Sequence, residues 1–244
     1  MPLQILHTSE NRLVALWQIS ETISFFETQL PKEDLAYIDS KYSDKSSNAK
    51  LQAKQEEKKL ERLAVRLLVK TLVEQIGFDY TFLAKTQTGK PFLKESNNNK
   101  NTNLKLSISH DFPFCAAIID TTNEVGIDIQ SLTPKIGRVF HRVMSQKEQK
   151  KAQTLKQQTF FWSSKEALYK YADIEGLFFK EDLNVKIQSN YGLRITTCQS
   201  SEANYDKDIQ LFGRIKNNLI SNEWLVLFHN YFTNQEKEFV VVWL

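Results

Sequence analysis

The fold of the first half depends on one helical stretch, Leu60-Glu-Arg-Leu-Ala-Val-Arg-Leu-Leu-Val-Lys-Thr-Leu-Val-Glu-Gln-Ile-Gly77. Apolar residues recur in it at i, i+3, i+4 and i+7, which predicts a helix from Ala49 to Ile76 that ends at Gly77. Strand-like runs precede and follow it at residues 13–19, 104–109 and 116–120. This pattern is typical of a sheet packed against a long helix.

The second half repeats this combination of strands and helices. A short strand, Val125-Gly-Ile-Asp-Ile-Gln130, is followed by helical patterns at residues 145–155 and 163–172. Further strand-like runs lie at residues 183–187, 192–197, 209–215, 224–231 and 239–244. We therefore predict an α+β fold made of a pseudo-two-fold pair of similar lobes, residues 1–120 and 121–244. Each lobe is expected to contain a small, mainly antiparallel sheet packed against a long helix.

The composition is that of a globular protein, with 41% hydrophobic residues among 244 and a net charge of +3. This charge permits an anionic partner but is weak for a nucleic-acid binder. Cys115 and Cys198 lie far apart without a CxxC companion, which argues against a disulfide framework or a zinc site. The sequence has no recognisable signal peptide and no apolar run of about 20 residues, so a cytoplasmic location without a membrane span is expected.

Asp128 is the first candidate site residue. On a strand, Val125, Ile127 and Ile129 face one side, whereas Gly126, Asp128 and Gln130 face the other. A carboxylate beside a glycine would let a bulky anionic ligand approach closely. The alternative is an aspartate that ends a strand and caps a turn, and the residues alone do not decide between these interpretations.

Glu166 and Lys170 are four residues apart and share one face of the predicted helix. They could be a surface ion pair, and Ser163-x-x-Glu166 matches a capping box. Lys165 adds a second cation that such a structural role does not require. Two carboxylates with lysines nearby, Asp128 and Glu166, are what an enzyme uses to hold Mg²⁺ and a polyphosphate together.

Two shorter segments could bind phosphate. Ser109-His110-Asp111 cannot form a catalytic triad, because adjacent side chains on a strand face opposite ways. Ser109 and His110 could instead bind a phosphate at a strand end, or the segment could simply form a turn. Thr88-Gly-Lys-Pro91 predicts a tight turn presenting Lys90, although exposed turn lysines usually have no function. No P-loop or Rossmann glycine motif is present.

The order of four motifs resembles the 4'-phosphopantetheinyl transferase superfamily, most closely its long, monomeric surfactin-synthetase-activating type. The motifs are Gly89-Lys90-Pro91, Ser109-His110, Gly126-Ile127-Asp128-Ile129 and Trp162-Ser163-x-Lys165-Glu166-Ala167-x-x-Lys170. The likeness runs from about Arg66 to about Leu183, and the last two motifs together are its specific part.

The resemblance implies transfer of the phosphopantetheine arm of coenzyme A to a serine of an acyl or peptidyl carrier protein, with release of 3',5'-ADP. It makes Asp128, Glu166 and Lys170 catalytic, with Asp128 and Glu166 as ligands of Mg²⁺ or, alternatively, Mn²⁺. The residues that it implies for coenzyme A are Arg66, Lys90, Pro91, Ser109, His110, Lys165 and Lys170. It also implies a cytoplasmic monomer without nucleic-acid or membrane partners, with the metal site in the second lobe and the active site at the lobe interface.

Gln130 departs from the family pattern, in which many members have a glutamate two residues after the first acid. An amide oxygen can still bind Mg²⁺ but brings no charge, and a water molecule could fill the same position. Glu166, directly or through a water that it orients, is the candidate base for the serine hydroxyl. The sequence does not choose between the two.

Two other classes of function compete with a transferase. A Mg²⁺-dependent nuclease also uses spaced Asp, Glu and Lys, but it should have a more basic surface. A non-catalytic binding module would not need this combination of residues. For the carrier protein, which is typically acidic in the family, we expect a docking surface near Lys147, Lys150, Lys151 and Lys156, with Phe140 or Met144 as an exposed apolar centre. A merely solvated lysine-rich helix is the alternative.

Overall fold

The computed structural model describes residues 3–42, 48–94, 104–189, 209–215, 225–234 and 237–244. The chain divides into two compact units, Met1–Glu124 and Val125–Leu244. Each unit contains an antiparallel sheet packed against one long helix, which confirms the predicted α+β fold class.

The first unit contains a four-stranded sheet, a small hairpin and three helices within the described residues. Its elements in chain order are β1 (Leu3–Thr8), β2 (Arg12–Gln18), α1 (Ile23–Gln29), α2 (Lys32–Asp39), α3 (Ala49–Gln75), β3 (Leu83–Lys85), β4 (Pro91–Leu93), β5 (Lys105–Asp111) and β6 (Phe114–Asp120). The sheet has the order β1-β2-β6-β5, and every pair in it is antiparallel. β5 is therefore an edge strand, and β3 and β4 form the separate hairpin.

α3 is the helix predicted from the sequence, and it supplies most of the core of the first unit. Leu63, Leu68 and Leu72 on its apolar face are completely buried against the sheet. Burial of each such side chain contributes about 1.5–3 kcal/mol to folding. The helix ends as predicted at Gly77, which has a φ of +82°. The amide of Phe78 then donates to a carbonyl of the last helical turn.

The second unit contains a five-stranded antiparallel sheet and three helices within the described residues. Its elements are β7 (Ile127–Ser131), α4 (Pro134–Val143), α5 (Gln146–Lys151), α6 (Leu155–Ala172), β8 (Leu183–Ser189), β9 (Ile209–Ile215), β10 (Leu225–Asn234) and β11 (Lys237–Trp243). The strand order is β7-β11-β10-β9-β8, so β7 is an edge strand.

α6 packs across this second sheet and is the counterpart of α3. Phe161 and Leu168 on its inner face are fully buried. The helix begins at a capping box, in which the Thr154 hydroxyl accepts from the Gln157 amide and the Gln157 side chain binds back to the backbone of Thr154. It ends at Asp173, whose φ of 49° lies in the left-handed region.

The structure corrects several element boundaries. The sequence pattern missed β1, α1 and α4, and the helix predicted at residues 145–155 ends at Lys151. α6 begins at Leu155 rather than Ser163, because the stronger capping box lies further upstream. The segment 97–103, whose composition of Asn, Lys and Thr predicts a solvated loop, and the strand predicted at residues 192–197 lie outside the described residues. Within the described residues, no helix combines the length and the apolar character that a membrane span requires.

Candidate active site

The backbone of α6 comes very close to the chain at Gly126, immediately before β7. A Cβ atom at this position would lie 2.0 Å from the carbonyl oxygen of Ala167 and 2.9 Å from the backbone nitrogen of Tyr171. Only glycine fits here, because any side chain would collide with the helix backbone. The interpretation of this glycine as an opening for an anionic ligand is therefore wrong, since α6 itself fills the space.

This close packing brings Asp128 on β7 against three successive turns of α6. The Ser163 hydroxyl donates to Asp128 Oδ2 over 2.7 Å. Lys170 Nζ donates to Asp128 Oδ1 over 2.9 Å and to the carbonyl oxygen of Ile127 over 2.8 Å. Asp128 is only 6% exposed. Both of its oxygens are thus held by side chains from the facing helix, which fixes the orientation of the carboxylate.

Two structural interpretations of the α6 motif are corrected by these contacts. Ser163 is not an N-cap, because it lies in the middle of α6, where its hydroxyl is free to reach β7. Lys170 pairs with Asp128 rather than with Glu166. Ser163, Glu166 and Lys170 lie at i, i+3 and i+7, so one face of the helix carries all three towards the strand.

Glu166 lies beside this pair and completes the cluster. Burial, followed by the negative charge of Asp128, raises the pKa of Glu166 to about 7, and the positive charge of Lys170 offsets part of the shift. The two carboxylates are therefore close enough to repel each other, and the charge of Lys170 acts on both. Among the described residues, Glu166 has no hydrogen-bond partner. Glu166 is half-buried, and a positive charge placed beside it would stabilise its ionised form.

The donor set at this cluster fits a hard divalent cation. Mg²⁺ prefers oxygen ligands, and it is often bound by one or two carboxylates together with water and substrate phosphates. Asp128 and Glu166 supply the two carboxylates. Gln130, on the same side of β7 as Asp128, donates its amide nitrogen to the carbonyl oxygen of Ser131. No cluster of three or more His, Cys, Asp or Glu side chains suited to a metal occurs among the described residues.

Lys165 is fully buried and points away from this cluster. Its ammonium group lies 2.8 Å from Glu148 Oε2 and donates to the carbonyl oxygens of Val143 and Phe179 over 3.0 and 2.6 Å. Burial lowers the pKa of Lys165, and the Glu148 carboxylate opposes that shift. With all three of its protons used, Lys165 joins α5, α6 and the segment before β8. The phosphate contact implied for it by the resemblance has no support in this geometry.

His110 and Ser109 lie at the end of β5 in the first unit, on opposite faces of the sheet. His110 is about one-third exposed, and its Nδ1 atom lies 3.3 Å from Glu61 Oε2 on α3. Ser109 is buried at 7% exposure. The structure therefore leaves the histidine accessible to a ligand in the first unit and places the serine in the interior.

Lys90, Pro91 and Arg66 are the remaining residues implied for coenzyme A, and they differ in their exposure to solvent. The predicted tight turn is present between β3 and β4, where Lys90 precedes Pro91 and its ammonium group lies 2.8 Å from Glu124. Arg66 is buried at 5% exposure. Its Nε atom donates to Asp34 over 2.8 Å, so the geometry gives it a structural role inside the first unit rather than a nucleotide contact.

The predicted docking surface is only partly present. Lys147, Lys150 and Lys151 are exposed on α5. Phe140 and Met144, predicted as its exposed apolar centre, are buried in the core of the second unit, and Lys156 is buried too. The prediction of an apolar centre at these two residues is wrong, because α4 turns them inward. A docking role for the three exposed lysines stays a prediction.

Three residues at or near these sites were missed as partners by the sequence analysis. Ser163 could have been found from its i, i+3, i+7 spacing with Glu166 and Lys170. Glu148 belongs to the capping box Ser145-x-x-Glu148, a signature that indicates a helix start but not a buried ion pair. Glu61 is an acidic residue on the buried, apolar side of α3. An acid at such a position could have indicated a buried polar contact.

Comparison with known protein families concerns the segment that contains this cluster. Residues 124–212 match the family model of the 4'-phosphopantetheinyl transferase superfamily. No curated protein matches the chain. The matched segment includes Gly126, Asp128, Glu166 and Lys170, the residues that build the contact between β7 and α6. The segment from residue 124 to residue 212 is therefore similar to a domain of the 4'-phosphopantetheinyl transferase superfamily.

Proposed function

We propose that this protein transfers the 4'-phosphopantetheine arm of coenzyme A to a serine of an acyl or peptidyl carrier protein and releases 3',5'-ADP. The observation that carries the proposal is the cluster of Asp128, Glu166 and Lys170 between β7 and α6. It lies in the segment that matches the transferase superfamily. Its two carboxylates and one ammonium group suit a metal-bound pyrophosphate.

Asp128 and Glu166 would hold the divalent cation. When bound, Mg²⁺ supplies positive charge that neutralises the pyrophosphate and the leaving group. Ser163 and Lys170 orient the Asp128 carboxylate in advance of substrate binding. The Lys170 ammonium group, which is partly exposed beside Asp128, is placed to contact a phosphate oxygen as well.

The chemical step is attack of the carrier serine oxygen on the phosphorus that bears the pantetheine arm. A new oxygen–phosphorus bond forms, and the bond from that phosphorus to the bridging oxygen of 3',5'-ADP breaks. The serine proton passes to Glu166, either directly or through a water that Glu166 orients. A bound cation beside Glu166 would keep its carboxylate ionised, which is the form that can accept a proton.

In this proposal, the nucleotide end of coenzyme A contacts Lys90 and His110 of the first unit. Both side chains carry or can carry positive charge, and both are partly exposed. Pro91 and Ser109 shape the backbone beside them. Arg66 and Lys165 are left out, because buried ion pairs occupy them.

The proposal is tested by incubating the protein with Mg²⁺, coenzyme A and a panel of fatty-acid, polyketide and peptide-synthetase carrier proteins. Mass spectrometry should detect a gain equal to the phosphopantetheine arm on at least one carrier. A carrier with its acceptor serine changed to alanine is the matched control and should stay unmodified. Absence of any gain across the panel, together with cleavage of oligonucleotides, would favour the nuclease alternative.

A further inference from the structure

Glu61 is a buried carboxylate with three hydrogen-bonding neighbours in the first unit. Its side chain is 1% exposed. Its Oε1 atom accepts from the backbone amide of Phe112 over 3.0 Å, and its Oε2 atom accepts from Lys58 Nζ over 2.7 Å. The same Oε2 atom lies 3.3 Å from His110 Nδ1. Glu61 thus joins α3 to the end of β5 and to the turn that follows it.

This arrangement determines which nitrogen of His110 can meet a ligand. Nδ1 faces a carboxylate that can only accept, so Nδ1 carries a proton. The imidazole is about one-third exposed, and Nε2 is the nitrogen that remains for a ligand. In the imidazolium form, Nε2 also carries a proton and can donate a charge-assisted bond to an anion.

We propose that Glu61 is a positioning residue for His110, holding its Nδ1–H so that the protonated ring presents Nε2–H to a phosphate of the nucleotide. This inference rests on the proposed function, in which His110 contacts coenzyme A. Glu61 needs no contact with substrate, because it acts through the orientation and charge of the imidazole.

The electrostatic surroundings keep Glu61 available for this role. Burial alone would raise the pKa of Glu61, but the bonds from His110 and Lys58 outweigh it and hold the pKa below its ordinary value. Among the described residues, the charge of Glu61 also acts on Tyr42 and on Cys115 of β6. Burial raises the pKa of the Cys115 thiol well above its ordinary value, so this neighbour is neutral.

The first test needs no nucleotide and no activity. Nitrogen-15 NMR of the wild-type protein, above the pH at which His110 loses its charge, should find the proton on Nδ1. In Glu61→Gln the amide oxygen can keep its bond from the Phe112 backbone, which leaves the NH2 group facing Nδ1. An NH2 group donates, so Nδ1 should become the acceptor and the proton should move to Nε2. Glu56→Gln, an exposed acid on the same helix, should leave it on Nδ1. An Nε2–H form in the wild-type protein would overturn the inference, whatever the variants do.

The second test measures binding of 3',5'-ADP at about pH 6 by calorimetry. Glu61→Gln should weaken binding about tenfold, because a charge-assisted bond becomes a neutral one. The same substitution in a His110→Gln background should add nothing. If His110→Gln itself leaves the affinity unchanged, the nucleotide contact of the proposed function fails. If His110→Gln weakens binding but Glu61→Gln does not, only the role of Glu61 fails.

Discussion

At the residue scale, the orientation of Asp128 depends on one hydroxyl group and one ammonium group from α6. Ser163 donates to one carboxylate oxygen of Asp128, while Lys170 donates to the other. Groups that orient a metal ligand typically change metal affinity or activity 10–100-fold when removed. The neighbouring Ser164 is equally buried, but its hydroxyl donates to the carbonyl of Phe160 in its own helix. The two serines therefore form a matched pair for experiment.

We expect Ser163→Ala to raise the Mg²⁺ concentration for half-maximal transfer by about 10–100-fold, because Asp128 loses its orienting partner. Ser164→Ala removes a buried hydroxyl of the same size and should leave that concentration nearly unchanged. The measurement is the initial rate of carrier modification over a Mg²⁺ series. Equal shifts in the two variants would mean that the Ser163 hydroxyl has no specific connection to the metal.

Asp120 gives the first unit a pH-dependent contribution to stability. Burial alone raises the pKa of Asp120, but hydrogen bonds from the amides of Asn123 and Thr122 and from Arg12 hold it below its usual value of 3.8. A carboxyl with a lowered folded-state pKa stabilises the fold fully above the unfolded-state pKa. That contribution is lost as the pH falls through the folded-state value.

Asp120→Asn should accordingly lower the free energy of unfolding by about 1–3 kcal/mol at pH 7. The difference from wild type should shrink as the pH falls below about 4. Urea unfolding at several pH values measures both, with the exposed Glu10→Gln as the control. A difference that stays constant down to pH 3 would contradict an ionised, hydrogen-bonded Asp120.

At the element scale, the site depends on the close approach of α6 to the chain before β7. Gly126→Ala would place a Cβ atom 2.0 Å from the Ala167 carbonyl oxygen, so the helix must move. We expect a loss of roughly 3 kcal/mol in unfolding free energy and a large fall in transfer rate, because Asp128 and Glu166 separate.

Gly137→Ala is the control for this substitution, since it lies inside α4 with only the flexible end of Gln158 at 3.3 Å. It should be neutral or stabilising by up to about 1 kcal/mol, because alanine favours a helix. Thermal unfolding and the transfer rate of both variants test the contrast. Full activity in Gly126→Ala would contradict a site formed by this helix–strand contact.

Lys165 holds α5 and α6 together through a buried ion pair with Glu148. Lys165→Met would leave the Glu148 carboxylate without its positive partner, which costs about 3–5 kcal/mol when a buried pair is broken. Lys150→Met, on the exposed side of α5, should change stability by less than about 0.5 kcal/mol. If Lys165→Met instead keeps full stability and only weakens coenzyme A binding, the phosphate contact implied by the resemblance is correct.

The sequence could predict elements whose pattern is local. The regular apolar spacing of α3 and the glycine after it were sufficient to place that helix within one residue at its end. α4 was missed, and with it the burial of Phe140 and Met144, although the apolar residues from Ile136 to Val143 have the i, i+3, i+4, i+7 spacing of an amphipathic helix. The upstream start of α6 depends on Thr154 competing with Ser163 as a cap, which spacing alone does not decide.

At the scale of the whole molecule, motifs predicted Asp128 and Glu166 as one site although 38 positions separate them. In the structure these two residues lie near enough that the charge of Asp128 raises the pKa of Glu166, and their shared role stays a prediction. The partners of Lys165, Arg66 and Lys90 could not be predicted, since each depends on a carboxylate distant in sequence. Long-range ion pairs of this kind have no local signature. The two buried pairs, those of Arg66 and Lys165, leave these side chains without a role in binding phosphate.

The central claim is that Asp128 and Glu166 hold the cation used in phosphopantetheine transfer. The most direct test is the rate of carrier modification as a function of Mg²⁺ for wild type, Asp128→Asn, Glu166→Gln and the exposed control Glu175→Gln. We predict a saturable Mg²⁺ dependence in wild type and Glu175→Gln, and a loss on the order of 10²–10³-fold in the two site variants with their folds intact. Wild-type transfer that continues undiminished in excess chelator, or site variants with the wild-type Mg²⁺ dependence, would contradict the claim.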